Sequence, residues 1–199
     1  MSKQMKTYLF VDGTNLYASQ YELFGPKKYL NFSKFTKEVE KKIRVRFNKI
    51  YFYASYSPKP KRLTKKRKLY LKNEALFYRS VKRTENVIFF KGYRSKTSGK
   101  EKEVDVKLAV DLVDFAHRKK YRKVYLLSGD ADFMAALEKV KSLKIPIEVL
   151  CMENKVMFKS VLFYQTRILS LTGRSILLKK IKKRLRIVGL KSEDLVKQV

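Results

Sequence analysis

Short apolar runs, each closed by a polar turn and followed by residues at helical spacing, set the rhythm of this chain. Residues 8–11 (Tyr-Leu-Phe-Val) are continuously apolar and stop at Asp12-Gly13, which predicts a buried first strand. Residues 16–30 carry no clear period, only a turn signal at Gly25-Pro26. Ser33 is placed to cap a helix reaching about Phe47, with Phe35, Val39 and Ile43 at helical spacing. Residues 50–56 are aromatic-rich and end at Ser57-Pro58, which predicts a second strand. A helix follows to about Val81, then a third strand over 87–93 and a polar loop over 95–102. Asp105 opens an apolar helix running to about His117. Residues 124–127 and 145–152 predict the fourth and fifth strands, with a helix over 133–143 between them. Residues 158–171 have helical spacing, broken by Thr172-Gly173-Arg174.

Five strands alternating with helix-length connections predict an α/β fold of three layers around a central, mainly parallel five-stranded sheet. Residues 1–172 form the expected domain, and 173–199 a basic helical C-terminal extension. Leu177, Ile181, Leu185 and Val188 make one helical stripe there, with Lys179, Lys180, Lys182, Lys183 and Arg184 on the other faces. Docking on the domain, clamping RNA, forming a homodimer and touching a membrane are the roles that such a helix leaves open.

Composition then narrows the partners. In 199 residues, 45% are hydrophobic, enough for a sizeable core, yet Lys+Arg number 48 against 18 Asp+Glu, a net charge of +30. That field attracts polyanions, and nucleic acid is favoured over a merely solvated lysine surface. Lys59, Lys61, Arg62, Lys65, Lys66, Arg67, Lys68 and Lys72 follow one another with no acid among them. Those from Lys59 to Lys68, with Lys182, Lys183 and Arg184, are the expected nucleic-acid contacts, and exposed tyrosines would stack bases. The single cysteine, Cys151, excludes an internal disulfide and a multi-cysteine zinc site, and its strand-like setting suits a buried thiol. The first residues lack a signal-peptide core and no run nears the ~18 apolar residues of a membrane span, so the expectation is a cytoplasmic protein with no membrane partner. The one histidine, His117, sits among cations at a helix end, which excludes RNA cleavage by a histidine pair and disfavours a Ser-His-Asp triad. Phosphate-loop and dinucleotide glycine motifs are absent.

Against this basic body, the acids stand at strand-to-helix junctions: Asp12 after the first strand, Asp105 at a helix start, Asp130 and Asp132 after the fourth strand. A doubly wound sheet brings such junctions to one edge. Carboxylates gathered there repel and drift toward protonation unless a hard cation with oxygen ligands, Mg²⁺ or Mn²⁺, resolves the conflict. Taken singly, each acid has a structural alternative as a helix cap or turn residue. Asn15 and Ser128 are candidates to bind metal, carboxylate or phosphate, or only to shape turns. Asp111 lies six residues past Asp105, about 9 Å along the helix and about 120° around it, which favours a supporting or surface place. Glu103 is the better reserve ligand, and Lys107 is in reach of a phosphate or simply exposed.

Three motifs in order, Val11-Asp12-Gly13-Thr14-Asn15-Leu16, Glu103 through Asp111, and Leu127-Ser128-Gly129-Asp130-Ala131-Asp132-Phe133, resemble the NYN family of PIN-like metal-dependent ribonucleases over about residues 6–170. The resemblance implies a PIN-like fold, with Asp12, Asp105, Asp130 and Asp132 as metal-binding catalytic acids and Asn15 beside them. It also implies a role for Asp111, at odds with the helix geometry. The activity implied is Mg²⁺- or Mn²⁺-dependent cleavage of RNA, endonucleolytic, with DNA open as a substrate. The alternative is a non-catalytic RNA-binding module of the same fold. A phosphatase of the haloacid dehalogenase type requires an aspartate where Phe10 stands.

Overall fold

The computed structural model describes residues 6–60, 62–94 and 101–152, and the strands 176–178 and 196–198; at 94, 101, 102, 151, 152 and in those two strands only the backbone is described. The first strand, β1 (Thr7–Asp12), runs into α1 (Gly13–Phe24), then a short β2 (Lys28–Leu30), α2 (Phe32–Ile43) and β3 (Lys49–Ala54). Next come α3 (Lys65–Lys82), β4 (Val87–Lys91), β5 (Tyr93–Arg94), β6 (Glu101–Lys102) and α4 (Val104–His117). The remainder is β7 (Lys123–Leu127), a 3₁₀ turn (Ala131–Phe133), α5 (Met134–Ser142), β8 (Ile147–Met152), β9 (Ile176–Leu178) and β10 (Val196–Gln198).

Six strands form the main sheet in the order β4-β3-β1-β7-β8-β9, and each neighbouring pair is parallel. Counted along the chain within this sheet, the order is 3-2-1-4-5-6. The direction of winding therefore reverses between β1 and β7, the switch point outside which doubly wound sheets place their ligands. Side chains of β1 alternate between two cores. Leu9 and Val11 pack with Leu16 and Tyr17 of α1, Phe35 and Val39 of α2, and Phe77 and Val81 of α3. Tyr8 and Phe10 pack on the other face with Leu108 and Leu112 of α4 and Leu137 and Val140 of α5. Both faces of the sheet are thus covered, which explains why its central strands read as unbroken apolar runs.

The five expected strands are present, and three local expectations are corrected. Asn31, not Ser33, caps α2, its side chain accepting from the Lys34 amide, and the helix stops at Ile43 because Arg44 turns left-handed at φ 54°. The stretch without a period holds α1 and β2: buried Ser19 and Gln20 blur the apolar face, and Gln20 Oε1 accepts the Leu30 amide at 2.6 Å. The third strand stops at Lys91, and beyond Gly92 Tyr93–Arg94 pairs antiparallel with Glu101–Lys102.

Of the expected basic helical extension, the backbone is described at two short places. Ile176–Leu178 is a sixth strand parallel to β8, and Val196–Gln198 pairs antiparallel with β2. The intervening stripe, Lys182, Lys183, Arg184, the expected helix over 158–171 and Lys61 lie outside the described residues. Cys151 does fall on a strand, β8. No helix among the described residues is long and apolar enough to cross a membrane.

Candidate functional site

The site is built at the switch point from the carboxyl ends of β1 and β7. Asp12 ends β1 and caps α1, its Oδ1 accepting the Asn15 amide at 3.0 Å. Its Oδ2 accepts from the Ser128 hydroxyl at 2.9 Å, across 116 residues of sequence. Ser128 Oγ also accepts the Asp130 amide at 3.0 Å, and Asp130 in turn caps the 3₁₀ turn by accepting the Asp132 amide at 3.0 Å. Asn15 closes the junction from the other side, its side-chain carbonyl accepting the Gly129 amide at 3.3 Å. Two strand ends that neighbour each other only through the sheet are thus stitched by side chains.

Gly13 is required by a close approach rather than by its dihedrals. A Cβ there would stand 2.1 Å from Cε1 of Phe52, a ring with no solvent exposure. The Asp-Gly pair is therefore where α1 presses onto β3, and the acid beside it is held down with it.

Asp12 is only 3% exposed. Burial pushes its carboxyl up to about 7; the nearby charges of Asp105 and Asp130 add to the rise, and the bonds from Asn15 and Ser128 oppose it. Asp105, exposed in the first turn of α4, and Asp130, half-buried, thus act on Asp12 across space. The structure brings three of the four predicted acids to the same strand-end rim. Asp132 is exposed one turn further on, with its backbone amide bound by Asp130.

The secondary candidates separate clearly. Asp111 accepts from the Tyr53 hydroxyl at 2.9 Å and holds Lys107 at 2.6 Å, so the pair supports α4 against β3. This agrees with the helix geometry, and it also occupies Lys107, for which a phosphate contact or plain exposure stood open. Glu103 sits at φ 68° before α4 and accepts from the exposed Tyr93 hydroxyl at 3.1 Å. His117 is exposed, as expected. The expectation of stacking tyrosines is corrected: Tyr8, Tyr17, Tyr29, Tyr53, Tyr78, Tyr121 and Tyr125 are core residues, and Tyr93 is the one exposed tyrosine among the described residues. Lys59, Arg62, Lys65, Lys66, Lys68 and Lys72 are exposed and Arg67 half-buried. They begin on the same edge as the acids, because the loop after β3 and the start of α3 leave the strand ends there. Sequence reasoning missed Tyr53 as the partner of Asp111 and Phe52 as the reason for Gly13; neither contact has a local signature.

Among the described residues, no three acidic, histidine or cysteine side chains stand close enough to hold a metal ion as they are placed. The donors at the rim are nonetheless oxygens only, and a carboxylic acid pushed up by burial and then by neighbouring carboxylates is one that a hard cation would ionise. Mg²⁺ commonly uses one or two carboxylates and completes its octahedron with waters and substrate oxygens. The chemistry of the donors therefore fits such an ion without a closed protein cage.

The NYN domain family model matches residues 6–171. The crystal structure of a Vibrio parahaemolyticus protein of unknown function superposes with a TM-score of 0.60 at 17% identity, covering 89% of this chain and 95% of that one. That likeness concerns the fold. No curated protein matches the chain.

Proposed function

Because the chain belongs to the NYN family of PIN-like ribonucleases, we propose that it is a Mg²⁺- or Mn²⁺-dependent endoribonuclease acting at the β1–β7 rim. The observation that carries this is Asp12: a buried carboxyl clasped by Ser128 and Asn15, with Asp105 and Asp130 near enough to disturb its proton. A divalent ion bound there supplies an activated water and offsets the charge of a phosphodiester. Asp12, Asp105 and Asp130 would hold it, with Asp132 at the open side.

The chain's own residues do the rest. Asn15 spends its carbonyl on Gly129, and its amide NH₂ has no acceptor among the described residues, so it remains as a donor for a phosphate oxygen. Ser128 fixes the spacing of Asp12 and Asp130, since one hydroxyl serves both. The cations at the start of α3 draw the polyanion to the edge where the acids stand. RNA is the expected substrate from the family, and DNA is the comparison to run.

Labelled RNA and DNA incubated with Mn²⁺ and with Mg²⁺, wild type beside Asp130→Asn, test the proposal. Cleavage that chelator abolishes and Asp130→Asn suppresses, with an unchanged melting temperature, is expected. Undiminished cleavage by the folded variant or by chelated protein would sink it. The second reading, an RNA-binding module without turnover, is favoured by the absence of a preassembled trio of carboxylates among the described residues. Binding without cleavage under every divalent ion would establish it instead.

A further inference from the structure

The edge where the strands begin, opposite the acids, carries an open cavity of about 760 Å³. It is lined by Lys6 just before β1, Lys119 just after α4, Arg122 just before β7 and Lys144 just before β8, with Ala116, Leu143 and Ile145 as an apolar wall. Six residues of β1 separate it from Asp12, about 20 Å at 3.3 Å per residue.

Among the described residues, these cations are not consumed by neighbours. On the flanking elements α4 and β8, Asp114 is engaged by Arg118 at 2.8 Å and Glu148 by Lys123 at 2.7 Å. Lys120 lies over the Phe115 ring, 4.0 Å from its centroid. Among the described residues, the side chains of Lys6, Lys119, Arg122 and Lys144 form no ion pair. Lys119 and Lys144 also adopt left-handed backbones, φ 53° and 58°, just past helix ends where glycine or asparagine is the easier choice. Lysine twice at such a position, lining one cavity, places charge where the backbone alone does not ask for it. The volume is that of a small-ligand site, and four cations beside an apolar wall match a phosphate joined to a sugar and base.

We propose that this cavity is a second anion site that binds a nucleoside phosphate, its phosphate held by Lys6, Lys119, Arg122 and Lys144 and its base or ribose against Ala116, Leu143 and Ile145. The ligand is either a free mononucleotide or one nucleotide unit of a bound RNA. The proposal is independent of hydrolysis at Asp12, because it is read by binding alone.

The test titrates the full chain, without divalent ions, with inorganic phosphate, adenosine monophosphate and a short oligoribonucleotide. Wild type is compared with Arg122→Glu/Lys144→Glu and with Lys37→Glu/Lys41→Glu, which makes the same charge change on exposed positions of α2. Loss of at least tenfold in affinity in the first variant alone supports the site. Saturable binding of the mononucleotide identifies a free ligand, and binding of the oligomer alone identifies an RNA unit. Equal losses in both variants, meaning attraction to the overall field, or no binding of any probe by wild type, would overturn it. Should the first variant unfold, Arg122→Gln/Lys144→Gln replaces it under the same criteria.

Discussion

At the scale of single residues, Asp12 sets the terms. Its folded-state carboxyl titrates near 7 rather than at its ordinary 3.8, chiefly through burial. A raised acid stabilises the fold fully below its unfolded value and loses that contribution as pH climbs through the folded one. The metal-free protein should therefore lose stability between about pH 4 and 7, by up to about 4 kcal/mol from this group. Asp12→Asn should remove that slope and melt higher than wild type at pH 8 in chelator, while losing Mn²⁺-dependent cleavage; thermal melts across the pH range read it directly. Gly13→Ala should act in the opposite direction. Its methyl collides with Phe52, a ring already packed against Phe32, Phe77 and Phe89. Overpacking of this kind costs about 1–3 kcal/mol or more, and a wild-type melting temperature in this variant would show that the close approach is not real.

Between elements, what the sequence made legible and what it hid have physical reasons. The strands of the main sheet were readable because both faces are covered, so that 8–11 and 124–127 are apolar at every position. The placing of Asp12 and Asp130 followed from topology alone. The clasp between them did not, because Ser128 reaches Asp12 across 116 residues and Asn15 reaches Gly129 across 114. Helix α1 was hidden by Ser19 and Gln20, polar residues buried with hydrogen bonds made locally or to β2. Leu177 belongs by spacing to a helical stripe, yet it pairs with Cys151 in a strand; sheet pairing outweighed local period. Helix α3 carries the prediction proper to this scale. Lys65, Lys66 and Lys68 are exposed at its start. Changing all three to Gln should weaken RNA binding and flatten the slope of log affinity against log salt by about 0.7 for each phosphate that the protein no longer neutralises. Binding curves at several salt concentrations measure this, and an unchanged slope would place the nucleic acid elsewhere.

On the scale of the whole molecule, the extension after residue 173 is woven into the domain at two described places. Ile176–Leu178 covers the outer side of β8, and Val196–Gln198 covers β2. Ending the chain at residue 172 should therefore do more than remove positive charge. It should bare two strand edges, lower the melting temperature and promote self-association, measurable by calorimetry and light scattering; a shortened chain as stable and monodisperse as the full one would return the tail to the status of an appendage. The net charge of +30 and the acidic rim are complementary at this scale. On the proposed reading, the surface would gather polyanions without discrimination, while the few carboxylates at the switch point would confine where a cation and a phosphate meet.

The central position of β1 has a consequence for when the rim comes into being. Thr7 pairs with Lys123, and Tyr8 with Lys49, so the strand synthesised first waits for partners some 40 and 116 residues downstream. Such long-range closure is slow and comes late. On a translating ribosome, itself largely nucleic acid, a nascent chain this basic carries Asp12 for more than a hundred codons before Ser128 and Asp130 arrive beside it. On the proposed reading, assembly order alone would keep the cleft incomplete until synthesis has passed the fourth long strand.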